Sequence, residues 1–170
     1  MEPFPKLLGI TFDPKLSFIP HFKLIANKAT AKINILRILK NKIKNNTNFI
    51  INVYKIIVRS IFDYSHLAIT SSNSQNSTII QKIQNKCLRI CIYPPLLTST
   101  ANLHSIVNIQ TIHTRAKILT DSYLRKAELE NTLIKFIISE YKINSELHEG
   151  SQLIGRKPHK TILFDSFKST

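Results

Sequence analysis

The sequence predicts a mainly α-helical bundle with a short strand or hairpin at its N-terminus. Apolar residues recur at intervals of three and four along several stretches, and segments rich in Asn, Ser or Pro separate those stretches. The chain has 170 residues, of which 43% are hydrophobic, so it is long and apolar enough to build a core. It holds 3 Gly, too few for a glycine-rich loop that cradles phosphates.

Two elements are predicted before residue 45. The apolar run 7–12 leads into Asp13-Pro14-Lys15, which predicts a strand that enters a turn. A long amphipathic helix is predicted over 20–44, with Pro20 in its first turn, where a missing N–H costs nothing. Because Lys40 interrupts the apolar stripe of this helix, we expect the helix to end or to leave the core near that residue.

Five later helices follow from the same periodicity. They are predicted at about 48–69, 77–93, 98–107, 111–129 and 131–142. Thr47 or Asn48 is the expected N-cap of the first of them. Pro94-Pro95 ends the second, because proline cannot continue a helix.

Helix 48–69 is apolar nearly all round and has one narrow polar stripe. The stripe consists of Asn52, Lys55, Arg59, Asp63 and His66. We therefore expect a central helix that is buried on most sides and open along this stripe, where Asp63 can pair with Arg59. Tyr54 and Tyr64 are predicted to be core aromatics.

The charge of the chain is strongly positive and unevenly distributed. The net charge is +14. Residues 1–120 hold 16 Lys and Arg against Glu2, Asp13 and Asp63, whereas residues 121–170 are nearly balanced. Such a basic segment points to a polyanionic partner, either nucleic acid or an anionic membrane surface. A solubilising surface is the plainer alternative.

The residue pattern predicts no catalytic site, metal or cofactor. No pair of acids is spaced to hold two metal ions. Cys87 and Cys91 lie four apart on an apolar helix face, so we expect two buried core thiols rather than zinc ligands or a nucleophile.

Neither a signal peptide nor a transmembrane helix is expected. The first residues lack a basic leader followed by an apolar run, and no span of 18 uncharged apolar residues occurs. Two Cys suit a reducing compartment. We therefore expect a soluble protein of the nucleus or cytoplasm, with no membrane and no small-molecule substrate.

Three ordered segments carry a further signal. They are Leu8–Phe18 (LGITFDPKLSF) continued by IPHF, Val53–Tyr64 (VYKIIVRSIFDY) and Ile79–Ile90 (IIQKIQNKCLRI). In order and spacing they resemble the end of the palm and the thumb of reverse transcriptases from jockey-like and CR1-like non-LTR retrotransposons. The resemblance covers about residues 7–125. Ser60 stands where the family usually has Pro, and Ser65 and Ile69 lie where it usually has Gly and Trp.

The resemblance implies a truncated thumb-and-linker fragment that is catalytically inactive alone, since the paired-aspartate motif would lie upstream of residue 1. The implied divisions are 1–18 as the end of the palm, 19–95 as a basic thumb-like three-helix bundle, 96–143 as linker helices and 144–170 as a mobile tail.

A thumb would hold an RNA or DNA duplex by its phosphates, independently of sequence. The candidate contacts are three basic lines, Lys28/Lys32, Lys55/Arg59 and Lys82/Lys86/Arg89. For each line a solvated helix face is the alternative. Two other functions stay open: a non-enzymatic helical interaction protein whose basic face meets an acidic protein or membrane surface, and a pseudogene product without function.

Overall fold

Helices dominate the part of the chain that the computed structural model describes, residues 4–43, 45–72, 74–95 and 97–149. A two-stranded antiparallel hairpin, β1 (Lys6–Leu7) and β2 (Ile10–Thr11), precedes them. The helices are α1 (Ile19–Lys42), α2 (Thr47–Tyr54), α3 (Ser60–Tyr64), α4 (His66–Ser71), α5 (Ser74–Ile92), α6 (Thr100–Val107), α7 (Ile112–Glu130) and α8 (Thr132–Glu149). The predicted fold class is confirmed.

The chain divides into two compact units, residues 1–117 and 118–170. The core of the first unit draws on α1, α2 and α5 and also includes Leu103, Ile109 and Ala116. The first unit therefore extends past residue 95, the boundary that the resemblance implied. All 16 Lys and Arg of the basic segment 1–120 lie within this unit, which ends at Lys117. The first unit therefore carries the positive charge, and the nearly balanced part of the sequence lies in the second.

The second unit contains the rest of α7 and all of α8. Leu124 and Ile138 are its buried apolar residues among those described. Asn131 caps α8, since its Oδ1 accepts hydrogen bonds from the backbone N–H groups of Leu133 and Ile134. The helix continues to Glu149, beyond the predicted end at 142. The rest of the predicted mobile tail, 150–170, lies outside the described residues.

The centre of the first unit is formed by α1 and α5, which contact each other more extensively than any other described pair of elements. Ala29, Cys87 and Cys91 are fully buried in the shared core. Cys91 also contacts α2, since its Sγ donates to the carbonyl of Ile50 at 3.9 Å. The prediction of two core thiols is confirmed, and both cysteines are free.

The predicted helix 48–69 is interrupted twice. Residues Lys55–Arg59 form a π-helical turn, and the helix breaks again at Ser65. The hydroxyls of Ser60 and Ser65 donate to the carbonyls of Ile56 and Ile61, four residues back, a bond that competes with regular helix and bends it. Because each hydrogen bond of a π turn spans five residues, side chains four apart no longer line up.

Three local predictions about helix ends have different outcomes. Pro20 lies in the first turn of α1, as expected. The N-cap of α2 is Asn46, whose Oδ1 accepts from Phe49 N at 2.9 Å, so the prediction of Thr47 or Asn48 was wrong by one or two residues. Lys40 remains buried, and its Nζ donates to Thr47 Oγ1 at 3.3 Å, so α1 does not leave the core there although it ends at Lys42.

The hairpin turns through Leu8 and Gly9, which both have positive φ, as a two-residue type I′ turn requires. Tyr64 secures this turn, because its hydroxyl donates to the carbonyl of Leu8. The Tyr64 side chain is 62% exposed, so its prediction as a core aromatic was wrong, whereas Tyr54 is fully buried. The break at Ser65 leaves Tyr64 on the surface beside the hairpin.

The turn between β2 and α1 is closed by Asp13. Its carboxylate accepts hydrogen bonds from Ser17 N, Ser17 Oγ and Phe18 N, at 3.1, 2.9 and 2.7 Å. Burial acts to raise the pKa of Asp13, but these hydrogen bonds outweigh it and lower the pKa below its ordinary value. The Asp13-Pro14 turn signal in the sequence therefore marks a carboxylate that organises the entry to α1.

Buried His21 joins the hairpin to the break in the second helix. Its Nδ1 accepts from Thr11 N at 3.4 Å, so its proton lies on Nε2, which donates to Ser65 Oγ at 3.0 Å. The Ser65 hydroxyl in turn donates a hydrogen bond to the carbonyl of Ile61. Burial and the positive charge of Lys28 lower the pKa of His21 below 6.5, which keeps the ring neutral.

We predict that the first unit loses stability as the pH falls below about 6.5. The unfolded chain binds a proton at the ordinary histidine pKa before folded His21 does, so stability is complete above that pH and is lost as the pH falls toward the lowered folded pKa. His66, whose pKa burial also lowers, adds to the effect. Urea melts from about pH 7.5 to about pH 5 measure the free energy of unfolding.

The variant His21→Gln should have a lower free energy of unfolding at neutral pH. That free energy should also depend less on pH, because one titrating group is gone. The same substitution at exposed His113, His113→Gln, serves as the control for replacing a histidine on the surface. An unchanged profile in the His21→Gln variant would contradict the assignment of a neutral buried ring.

Candidate nucleic-acid interface

A groove of about 620 Å³ runs along the surface of the first unit where α1 and α5 meet. It is lined by Arg37, Lys82, Asn85, Lys86, Arg89, Ile90, Tyr93 and Pro94. Four of these side chains are cationic, and none of these lining residues is acidic. The groove therefore brings the third predicted basic line, Lys82/Lys86/Arg89, together with a cation from another helix.

Lys82 and Lys86 are the most accessible cations of the groove. Both side chains are exposed, and neither forms an ion pair with an acid in the described part of the chain. They lie four residues apart on α5, one turn and about 6 Å along the helix axis. Two neighbouring negative charges of an extended polyanion can therefore be contacted at once.

Arg37 and Arg89 are held in place by hydrogen bonds. Arg37 Nη1 donates to Asn34 Oδ1 at 3.1 Å, and Arg89 Nη2 donates to the carbonyl of Thr98 at 2.8 Å. Each guanidinium has five N–H donors, so most of its donors remain for a ligand. Arg37 belongs to none of the three predicted basic lines, since only the packing of the two helices brings it into one groove with Lys82 and Lys86.

Asn85, which lines the groove, belongs to a hydrogen-bond network that supports it. Gln81 Nε2 donates to Asn85 Oδ1 at 2.8 Å and to the ring of His104, at Nε2, at 3.1 Å. Gln81 Oε1 also accepts from Ile112 N at 2.9 Å, and His104 Nδ1 donates to the carbonyl of Ile109 at 2.7 Å. This network fixes α5 against α6 and the start of α7, so the cations stand on a rigid wall.

Tyr93 forms the end of the groove. It follows α5 directly and has φ 45°, a left-handed conformation that is unusual for a bulky residue. Its N–H donates to the carbonyl of Arg89 at 3.0 Å, which makes it the left-handed residue that ends the helix, a place usually taken by Gly. Lys40 Nζ lies over its ring, 5.8 Å from the centroid.

The first predicted basic line, Lys28/Lys32, lies apart from the groove. Both side chains are exposed on α1. Lys28 lines a separate pocket of about 280 Å³ that also includes His21 and Ser65. Within that pocket the His21 Nε2 proton already points at Ser65 Oγ, so the ring cannot take the serine's proton as a general base would.

The second predicted line, Lys55/Arg59, is split by the π-helical turn. Lys55 is exposed, but the Arg59 side chain is only 12% exposed. Arg59 Nε lies 3.8 Å from Asp63 Oδ1, as expected, and Arg115 Nη2 lies 3.4 Å from the other oxygen of the same carboxylate. The expectation of one open stripe was therefore wrong for Arg59, which belongs to a partly buried three-residue ion-pair cluster.

The described residues contain no group of three His, Cys, Asp or Glu side chains placed to hold a metal ion. Burial raises the pKa of Cys87 and of Cys91 to about 12 each, which keeps both thiols protonated. None of the described helices combines the length and the apolar character that a bilayer span requires.

Comparison with protein-family models, with curated proteins and with solved structures finds no match for this chain. The resemblance to non-LTR reverse transcriptases therefore stays a prediction that rests on the ordered segments described above.

We predict that Lys55 and Arg59 differ sharply in their contribution to stability. Arg59→Ala should lower the free energy of unfolding by about 1–3 kcal/mol, because it removes a partner from a partly buried carboxylate and leaves a gap beside the π turn. Lys55→Ala should change it by less than about 0.5 kcal/mol, since the side chain is exposed. Urea denaturation of both variants makes the comparison, and equal effects would contradict the cluster.

Proposed function

We propose that this chain binds nucleic acid through the phosphate backbone, with the groove between α1 and α5 as its contact surface, and carries out no polymerase chemistry by itself. The observation that supports this most directly is the convergence of four cations from two helices on one groove without an acidic lining residue. Contacts of this kind recognise phosphates and carry no sequence information.

The distribution of acids supports a polyanionic ligand. Of the three acids in the first unit, Asp13 closes a turn and Asp63 pairs with Arg59 and Arg115. The third, Glu2, lies outside the described residues. The two described acids are thus already engaged elsewhere, and neither lines the groove.

We further propose, from the resemblance alone, that the chain derives from the thumb and linker of a non-LTR retrotransposon reverse transcriptase. In that setting the groove would hold nucleic acid near the polymerase site. The binding proposal does not depend on this origin, since it follows from charge and geometry.

The test compares two charge reversals of equal size. Lys82→Glu/Lys86→Glu removes two cations of the groove, and Lys32→Glu/Lys55→Glu removes two exposed cations outside it. We expect the groove variant to weaken binding of every sequence alike and to reduce the slope of log affinity against log salt by roughly two units. The control variant should change the slope much less.

Fluorescence anisotropy with labelled single strands and duplexes across a salt series measures both quantities. Loss of affinity in both variants to the same extent would mean that total charge, rather than the groove, determines binding. Unchanged affinity in a folded groove variant would overturn the proposal. Equal competition by polyglutamate would favour the other candidate, a protein that binds acidic partners.

A further inference from the structure

We propose that the groove between α1 and α5 takes an unpaired nucleotide, whose base stacks on Tyr93 while its phosphates lie among Arg37, Lys86 and Arg89. This inference rests on the proposed function and specifies its ligand: the chain should prefer a single strand to a duplex of the same length.

The ring of Tyr93 is presented to a ligand. It lines the groove and is 65% exposed, although it directly follows a helix that packs in the core. Lys40 Nζ lies over the ring, 5.8 Å from its centroid, and Lys40 itself is buried and bonded to Thr47. One face of the ring therefore meets a cation that is held by a hydrogen bond, and the exposure of the residue leaves aromatic surface accessible to a ligand.

The backbone holds the ring in this position. Tyr93 has φ 45°, and Pro94, with its restricted backbone, follows at once. Gly or Asn would adopt the left-handed conformation at lower cost, and Asn108 does so at the end of α6. Tyr93 keeps this conformation at a conformational cost, as Leu8, Leu16 and Phe18 do elsewhere in the first unit, and the result is a ring fixed beside the cations of the groove.

The dimensions and the charges fit a nucleotide. A volume of about 620 Å³ lies within the range of small-ligand pockets, about 300–1,000 Å³. Aromatic stacking beside a cationic groove is the usual way in which proteins hold single strands without reading sequence. In a duplex both faces of an internal base are covered by its neighbours, so stacking on Tyr93 requires the base to leave the helix.

The test uses substitutions at Tyr93 that its backbone tolerates. Tyr93→Asn removes the ring and suits positive φ, whereas Tyr93→Phe keeps the ring. Leu97→Asn, at a side chain that is 98% exposed, controls for the loss of an exposed apolar group. We expect Tyr93→Asn to weaken binding of an oligothymidylate about tenfold with little change in salt slope or in duplex affinity. The Phe variant and the Leu97 control should bind like the wild type.

A spectroscopic measurement tests the contact directly. The chain contains no Trp, so Tyr93→Trp introduces a single reporter. Its fluorescence should be quenched when oligothymidylate binds and less so with duplex, while Leu97→Trp should stay unquenched. Because this variant keeps an aromatic ring, it decides the question even if Tyr93→Asn fails to fold.

The outcomes separate the two proposals. If Lys82→Glu/Lys86→Glu weakens single strands and duplexes alike while Tyr93→Asn changes neither and Tyr93→Trp is not quenched, the stacking inference is wrong and phosphate binding stands. If the charge reversal leaves all binding unchanged, the groove is not a nucleic-acid site and both proposals fail.

Discussion

Close packing of α1 against α5 is the interaction on which the basic groove depends. Ala29, Cys87 and Cys91 are small, fully buried residues of the core that the two helices share. At the surface, Arg37 of α1 lines the groove together with the cations of α5. The contact of Lys40 with the ring of Tyr93 shows that the ends of both helices lie near each other. A bulkier residue at any of the three small positions would therefore disturb the geometry of the groove as well as the core.

The distribution of charge follows from where the acids are used. In the first unit Asp13 organises a turn and Asp63 neutralises two arginines, so structural tasks occupy the described acids and leave the groove unbalanced. Part of the positive charge also has a structural explanation, because Lys40 and Arg89 lie in the last turns of their helices, where cations oppose the helix dipole. Lys82 and Lys86 pair with no acid among the described residues and do not lie in the last turn of α5. Their charge is therefore the part of the groove that points most directly to a ligand.

The sequence predicts the helices well because their apolar spacing reflects burial, as in α1, where the predicted 20–44 compares with Ile19–Lys42. It fails where a local hydrogen bond overrides the spacing: the serine hydroxyls at 60 and 65 accompany a π turn and a break that no periodicity shows. Only part of the groove could be predicted from the sequence. Its cations on α5 share a helix face, but Arg37 joins them only through tertiary packing, and nothing local marks Tyr93 as left-handed.

The two free cysteines, Cys87 and Cys91, report how often the core of the first unit opens. Both thiols are fully buried in the core of the first unit, where burial raises the pKa of each to about 12, so they stay unreactive while that core remains closed. An alkylating reagent can reach them only when α5 separates from its neighbours, so the rate of modification counts such separations. A ligand that binds the groove only while α1 and α5 are together would slow this labelling in proportion to its occupancy.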